Sequence, residues 1–189
     1  MRPLGNDKGF TGLEAAIVLI AFVVVAAVFS YVVLAAGFFT TQKSQEVVHT
    51  GVQQASSTIQ ISGNIYGTGT AGSTIDTMNF SASLAPGGTP VDFDKVAITY
   101  SNATNLETLS RGTKGQPPGS GQWTIAAVHN EATNDDVLEK GEQFDIVVKP
   151  TNSLPKNDQF TLDVKPSIGA ALSITRTTPA SIQKINVLY

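Results

Sequence analysis

The sequence predicts an α+β protein: one long apolar helix followed by an antiparallel β-sandwich. Three observations carry this. No charged residue interrupts Ala15 to Gln42, and Ile17 to Phe39 is almost wholly apolar. From Ile59 onward the apolar period changes from helical to alternate residues. Clusters of Gly, Pro, Asn and Ser then punctuate the alternating runs, as turns between short antiparallel strands require.

The chain divides into a leader (1–9), a helix (10–58) and a strand-rich domain (59–189). The leader is short and polar and contains Pro3 and Gly5. A helix over 10–58 would be about 70 Å long at 1.5 Å per residue, roughly twice the bilayer core. Its first half is apolar on every side, which means burial in lipid or among other helices. In its second half Val48, Val52, Ala55 and Ile59 recur at helical spacing, while Lys43, Glu46, Gln53 and Gln54 lie elsewhere on the wheel. That half is therefore amphipathic, with one face for a globular domain. Gly51 is its weak point, at about 1 kcal/mol relative to Ala.

Arg2 and Lys8 precede the apolar run and Lys43 is the first charge after it. Positive flanks stay cytoplasmic, so the N-terminus is expected inside and the strand-rich domain outside. The apolar core of a cleaved secretory signal runs about 7–15 residues; this one is far longer, so a retained span is predicted. Glu14 stands just inside its entrance. A lone carboxylate there costs roughly 2.5–3.5 kcal/mol, which requires a partner.

The strands are read in order. Met78, Phe80, Ala82 and Leu84 alternate with polar residues, as do Val96, Ile98 and Tyr100. Trp123, Ile125 and Ala127 form a third series and Phe144, Ile146 and Val148 a fourth. Phe160, Leu162 and Val164 make a fifth, and Ile185, Val187 and Tyr189 a sixth. Turns fall at Gly67–Gly72, Pro86–Gly88, Gly112–Gly121, Lys140-Gly141 and Thr151–Asp158. Roughly 130 residues can bury a substantial core in this form.

Composition removes several function classes. A net charge of −3 on 189 residues argues against nucleic acid, which needs a basic face to neutralise phosphates. The chain has no cysteine, hence no disulfide framework, thiolate metal site or thiol nucleophile. Gly67-Thr-Gly69-Thr-Ala-Gly72 spells G-x-G-x-x-G, with Asp92 about twenty residues on, but strand alternation follows where a phosphate-binding helix would have to open. It reads as a loop. Asp92, Asp94, Asn134, Asp135, Asp136 and Glu139 carry cation-binding chemistry yet fit no EF-hand spacing; solvated loop carboxylates are the simpler reading, and no metal or other cofactor is assigned. His49 and His129 read as surface histidines, with no nucleophile–base arrangement around either. Nothing predicts an enzyme. Asn79-Phe-Ser81 and Asn102-Ala-Thr104 are N-glycosylation sequons, and both asparagines are expected to be exposed.

Lys8-Gly9-Phe10, a glutamate at the fifth position after the break, and the helix that follows resemble a class III signal peptide of the type IV pilin-like superfamily. The wording from Phe10 to Leu34, the continuation Thr41-Gln-Lys-Ser-Gln-Glu46 and the tail from Gly169 to Tyr189 most resemble the archaellins, the archaeal flagellins. The leader departs from the pattern, since Asp7 interrupts its basic residues. The resemblance implies an Ig-like sandwich and cleavage between Gly9 and Phe10 by a prepilin-type peptidase. It implies a helical homopolymer of identical subunits: an extracellular motility filament, drawn from the membrane by an assembly platform and a secretion ATPase. It also implies N-linked glycans, for which Asn79 and Asn102 are the candidates. The new Phe10 ammonium would neutralise Glu14, in the same subunit or a neighbour. Small residues permit close helix approach, so Gly12, Ala16, Ala26 and Ser30, with Phe22 and Phe29 intercalating, are the candidate assembly residues. Two alternatives stand beside this reading: an adhesive pilin of the same secretion class, and a single-span surface protein with an Ig-like binding domain.

Overall fold

The computed structural model describes residues 7–189 except 132 and 134, with side chains from residue 12 onward. It separates into two compact units that divide between Thr50 and Gly51.

The first unit is helical. Helix α1 spans Asp7–Ser56, 50 residues, or about 75 Å of rise. It starts three residues earlier than the reading from sequence and stops two earlier. The stop has a local cause. Ser56, Ser57 and Thr58 follow one another, and hydroxyl side chains compete with the backbone for hydrogen bonds; the Ser56 hydroxyl donates to Gln53 O at 3.3 Å. Ile59 is thereby delivered to the first strand, where it is buried, while Val48 and Val52 stay exposed.

The second unit, called the head below, contains twelve strands among its described residues: β1 (Ile59–Ile61), β2 (Ile65–Gly69), β3 (Ile75–Leu84), β4 (Val91–Asp92), β5 (Ala97–Asn102), β6 (Leu106–Arg111), β7 (Gln122–His129), β8 (Val137–Leu138), β9 (Gln143–Lys149), β10 (Gln159–Lys165), β11 (Leu172–Thr177) and β12 (Ile185–Leu188). They form one sheet in the order β11-β10-β5-β6-β7-β9-β3-β2-β12, with β1 beside β3; β4 and β8 make a separate ribbon. Every pairing is antiparallel except β6–β7, which meet in parallel at Ser110–Gln122 and Arg111–Trp123. That junction splits the sheet into two halves whose inner faces share one core. Ile98, Tyr100, Phe160, Leu162 and Val164 come from one half; Met78, Phe80, Trp123, Phe144, Ile146 and Val148 come from the other. All are at most 3% exposed. Tyr100 stacks on Phe160 and Phe93 packs on Phe144, at centroid distances of 6.3 and 5.1 Å. The path closes on itself where the Thr177 amide donates to Tyr189 O at 2.6 Å.

Two strands depart from the alternation read in sequence. In β7 the register against β9 shifts between Ile125 and Ala127. This β-bulge leaves Ala126 unpaired, turns Ala127 outward, and puts Val128 against the core opposite Phe144. In β12 the apolar series is the outward one: Ile185 and Tyr189 are 63% and 79% exposed, while Asn186 and Leu188 are buried. Asn186 can occupy the interior because its amide is bonded. Nδ2 donates to Gln183 O at 2.8 Å and Oδ1 accepts from Gln183 N at 2.8 Å.

The glycine-rich segment Gly67–Gly72 is the β2–β3 hairpin. Gly67 and Gly69 lie inside β2, and a Cβ on Gly67 would crowd Ile75 and Leu188. These glycines serve close strand packing, which accounts for the motif without a nucleotide.

Candidate assembly surface on the N-terminal helix

Helix α1 is the one element long and apolar enough to cross a membrane among the described residues. From Leu13 to Phe39 its large apolar side chains are 54–75% exposed. Monomeric soluble proteins rarely leave more than a few hundred Å² of contiguous apolar surface uncovered. This surface needs lipid or other helices.

Positions on the helix follow from about 100° per residue. Gly12, Ala16, Ala26 and Ser30 fall within an arc of roughly 80° on that count, and Gly37 and Thr41 fall in the same arc. Ala26, Phe29, Ser30, Val33, Leu34, Gly37, Phe38 and Thr41 together line a shallow groove. Phe22 and Phe29 flank the small-residue stripe on one side and are 75% and 70% exposed. Gly37 and Thr41 were not among the residues picked from sequence; the signal was present in the spacing of Ser30, Gly37 and Thr41. The hydroxyls of Thr40 and Thr41 donate to Ala36 O and Gly37 O at 2.8 Å each, so both side chains can enter an apolar contact without an unpaired donor.

Glu14 falls opposite that stripe on the same helical count. It is exposed, and no ion pair to it is present among the described residues. The backbone is helical from Asp7, so the Gly9–Phe10 bond lies within the first turn of α1. The side chains of Asp7 to Thr11, and all of Met1 to Asn6, lie outside the described residues. Farther along, Lys43 Nζ and Glu46 Oε2 pair at 2.6 Å, i to i+3 on the exposed surface; His49 is also exposed.

The head brings together other residues singled out from sequence. Arg111 binds Asp94 and Asp136, the latter at 2.6 Å, and its guanidinium lies over the Trp123 ring at 5.6 Å. Lys114 reaches Asp136 at 3.2 Å and Glu131 at 3.0 Å, and Lys95 pairs with Asp92 at 2.8 Å. Asp135 Oδ1 accepts from Val137 N, and Asn134 lies outside the described residues. Asp92, Asp94 and Asp136 are thus held by protein cations rather than merely solvated. Burial opposes ionisation of Asp136, but hydrogen bonds and charge from Arg111 and Lys114 outweigh it and hold the carboxyl below its ordinary range.

Sequence reading also missed a cluster on the outer face of β3, β7 and β9. The Ser81 hydroxyl donates to Asp145 Oδ1 at 2.6 Å, and His129 Nε2 lies 2.7 Å from Asp145 Oδ2. The three residue types match a hydrolytic triad, but the carboxylate stands between hydroxyl and imidazole. Ser81 therefore does not face the imidazole, and the arrangement lacks the hydroxyl–histidine contact of a serine triad.

The sequons differ in setting. Asn102 ends β5 and, contrary to the expectation of exposure, is half-buried: its Oδ1 accepts from Thr104 N, Thr104 Oγ1 and Asn105 N, and its Nδ2 donates to Asp158 Oδ2 at 3.0 Å. Asn79 lies mid-strand in β3. Expected to be exposed, it is half-buried, with Oδ1 enclosed and unbonded, because β2 and β9 flank it on either side.

An apolar helix preceding a closed β-domain is also the arrangement of known proteins. The archaeal-type flagellin family matches residues 9–176. The chain is 41% identical to probable flagellin 1 of Archaeoglobus fulgidus, covering 100% of this chain and 98% of that one. It is 35% identical to probable flagellin 1 of Aeropyrum pernix over 93% and 94% of the two chains. The solved archaeal flagellum of Methanospirillum hungatei superposes with a TM-score of 0.74 at 35% identity, covering 94% of this chain and 99% of that one. With its helix, its head and nearly its whole length matched, the chain belongs to the archaeal-type flagellin family.

Proposed function

We propose that cleavage between Gly9 and Phe10 converts this chain, a structural subunit of an archaeal flagellar filament, from a membrane-held precursor into its polymerising form. One observation carries the reading: some 27 residues of α1 expose apolar side chains all round. Lipid satisfies that surface before assembly; identical helices satisfy it afterwards.

Hydrophobic burial alone gives little net drive from lipid into a bundle, because acyl chains are as apolar as Val and Leu. Close packing along Gly12, Ala16, Ala26 and Ser30, with Phe22 and Phe29 filling the gaps, supplies the difference. Glu14 supplies register. Cleavage creates an ammonium at Phe10, one turn away, and a charge-assisted contact in an apolar core is costly to leave unmade. Axial offsets that pair acid with amine are favoured over slipped ones. A prepilin-type peptidase, a membrane assembly platform and a secretion ATPase are the partners this scheme requires, with the precursor's N-terminus in the cytoplasm.

Glycan attachment is proposed at the turn carrying Asn102, where Ala103 and Thr104 are exposed; the mid-strand position of Asn79 gives it less access. Mass spectrometry of filaments sheared from cells tests the scheme. The expected N-terminal peptide begins at Phe10, and a glycan mass accompanies the peptide containing Asn102. An N-terminal peptide beginning at Met1 in assembled filaments overturns the cleavage step.

A further inference from the structure

We propose that the outer face of the β12–β2 edge, carrying Tyr66, Ile185, Val187 and Tyr189, is a contact surface for a neighbouring copy of this chain in the filament. The inference rests on the filament reading and assigns one face of the head to subunit–subunit contact.

The observation begins with the reversed alternation of β12. Turning Ile185, Val187 and Tyr189 outward places an asparagine in the core, where it has to be bonded by Gln183 and by Gly67 O. Val187 lies directly across from Tyr66 on β2, and Ile185 across from Thr68. Tyr66 is 40% exposed, Ile185 63% and Tyr189 79%. The row continues inward through Asn79 on β3 and Val147 on β9. It crosses a trench of about 460 Å³ that Tyr66, Asn79, Ala126 and Val147 help to line, with the Asp145 carboxylate, bonded by Ser81 and His129, in the same lining. No charge interrupts Val187, Tyr66, Asn79 and Val147, and the enclosed Asn79 Oδ1 is an acceptor without a donor.

The other half of the sheet looks different from outside. Its outward positions include Thr99, Ser101, Thr108, Thr161, Asp163, Ser173 and Thr175, with Thr161 and Thr175 hydroxyls bonded at 3.0 Å. Leu106 at its rim and Ile168 in the β10–β11 turn are the exposed apolar exceptions. Hydroxyl-rich strands suit water. The outward positions of β12 carry neither charge nor proline, although Tyr189 at its end bonds back to Thr177 of β11.

Area identifies the occupant. A fully covered aromatic side chain buries roughly 150–250 Å², so two tyrosines with Ile185 and Val187 fall short of the ~800 Å² per partner of a standard interface. The patch is too small to hold two free chains together. It suits a partner already brought close by another contact, where effective concentration is high, and polymerised copies of this chain meet that condition.

The test uses full-length chain in native filaments, with a photo-crosslinking amino acid placed at Tyr189 or, as control, at Thr161 on the hydroxyl-rich face. Irradiated filaments should give crosslinked dimers from position 189 and none from 161; filament loss confined to the 189 variant also supports the contact. Intact filaments that crosslink at 161 but not at 189 overturn it, while leaving the filament reading untouched. Independently, the double variant Ile185→Thr, Val187→Thr should lower the temperature at which filaments depolymerise without shifting the melting of the head. An unchanged depolymerisation temperature counts against the proposal.

Discussion

Burial and two cations pull on Asp136 in opposite directions, and the cations win. Asp145 behaves alike: burial raises its carboxyl, while bonds from Ser81 and His129 lower it further. A carboxyl with a lowered folded pKa contributes stability that is present above its unfolded value near 3.9 and lost as pH falls through the folded one. Tyr100 gives the alkaline limb. Burial first, then the charges of Asp158 and Glu107, push its phenol up to about 12. Its contribution is full below about 10 and disappears as pH rises through the folded value. Thermal melting of the head should therefore plateau between these limbs, and Arg111→Met should move the acid limb to higher pH. An acid limb unmoved by that change would show that Arg111 does not hold Asp136. Gly169 offers a second residue-scale prediction. It has φ +113 and lies against Ser57, whose carbonyl also accepts from Ala170 N. Gly169→Ala should cost about 1–3 kcal/mol in denaturant unfolding, whereas Gly141→Ala, with open space around it, should pay only the backbone part.

Elements were legible where burial and period agree. In β3, β9 and β10 the apolar residue of each alternate pair is the buried one. The reading failed where a single residue breaks the period or where something other than water faces a strand. The bulge at Ala126 is invisible to a period count because alanine suits either face. The β12 stripe misled because alternation reports which positions are alike, not which side is inward. Along α1 the small-residue stripe was partly legible, and Gly37 extends it. Gly37→Leu tests the packing argument against propensity. Leucine favours an isolated helix by almost 1 kcal/mol over glycine, so the precursor's helix should be as stable or more so, yet filament yield should fall. A yield equal to wild type would show that close approach at Gly37 is unnecessary.

At the level of the whole molecule, a long helix ahead of a strand-rich domain was legible, since nothing but lipid or other helices covers so long an apolar run. The parallel β6–β7 junction and the closure at Thr177–Tyr189 did not follow, because each joins segments whose pairing leaves no local trace. The candidate site was readable for the same reason the helix was: Glu14 is conspicuous in an uncharged neighbourhood. The Arg111 network was hidden because its members come from β6, the turn after β4 and the loop before β8. The separation into two units leads to a prediction. Glu14→Gln or Glu14→Ala should impair assembly while far-ultraviolet circular dichroism and melting of the head stay as in wild type; normal filament yield from both variants would remove Glu14 from the scheme.

The meeting of Thr177 with Tyr189 bears on how such a structure can survive its own crowding. Thousands of heads held at close quarters would otherwise present bare backbone amides and carbonyls to one another, the usual seed of amyloid-like fusion. By drawing its last strand back towards β11, each domain withholds part of that template. Backbone pairing between heads is thereby limited, so a fibre can lengthen without its heads fusing to those of the next fibre.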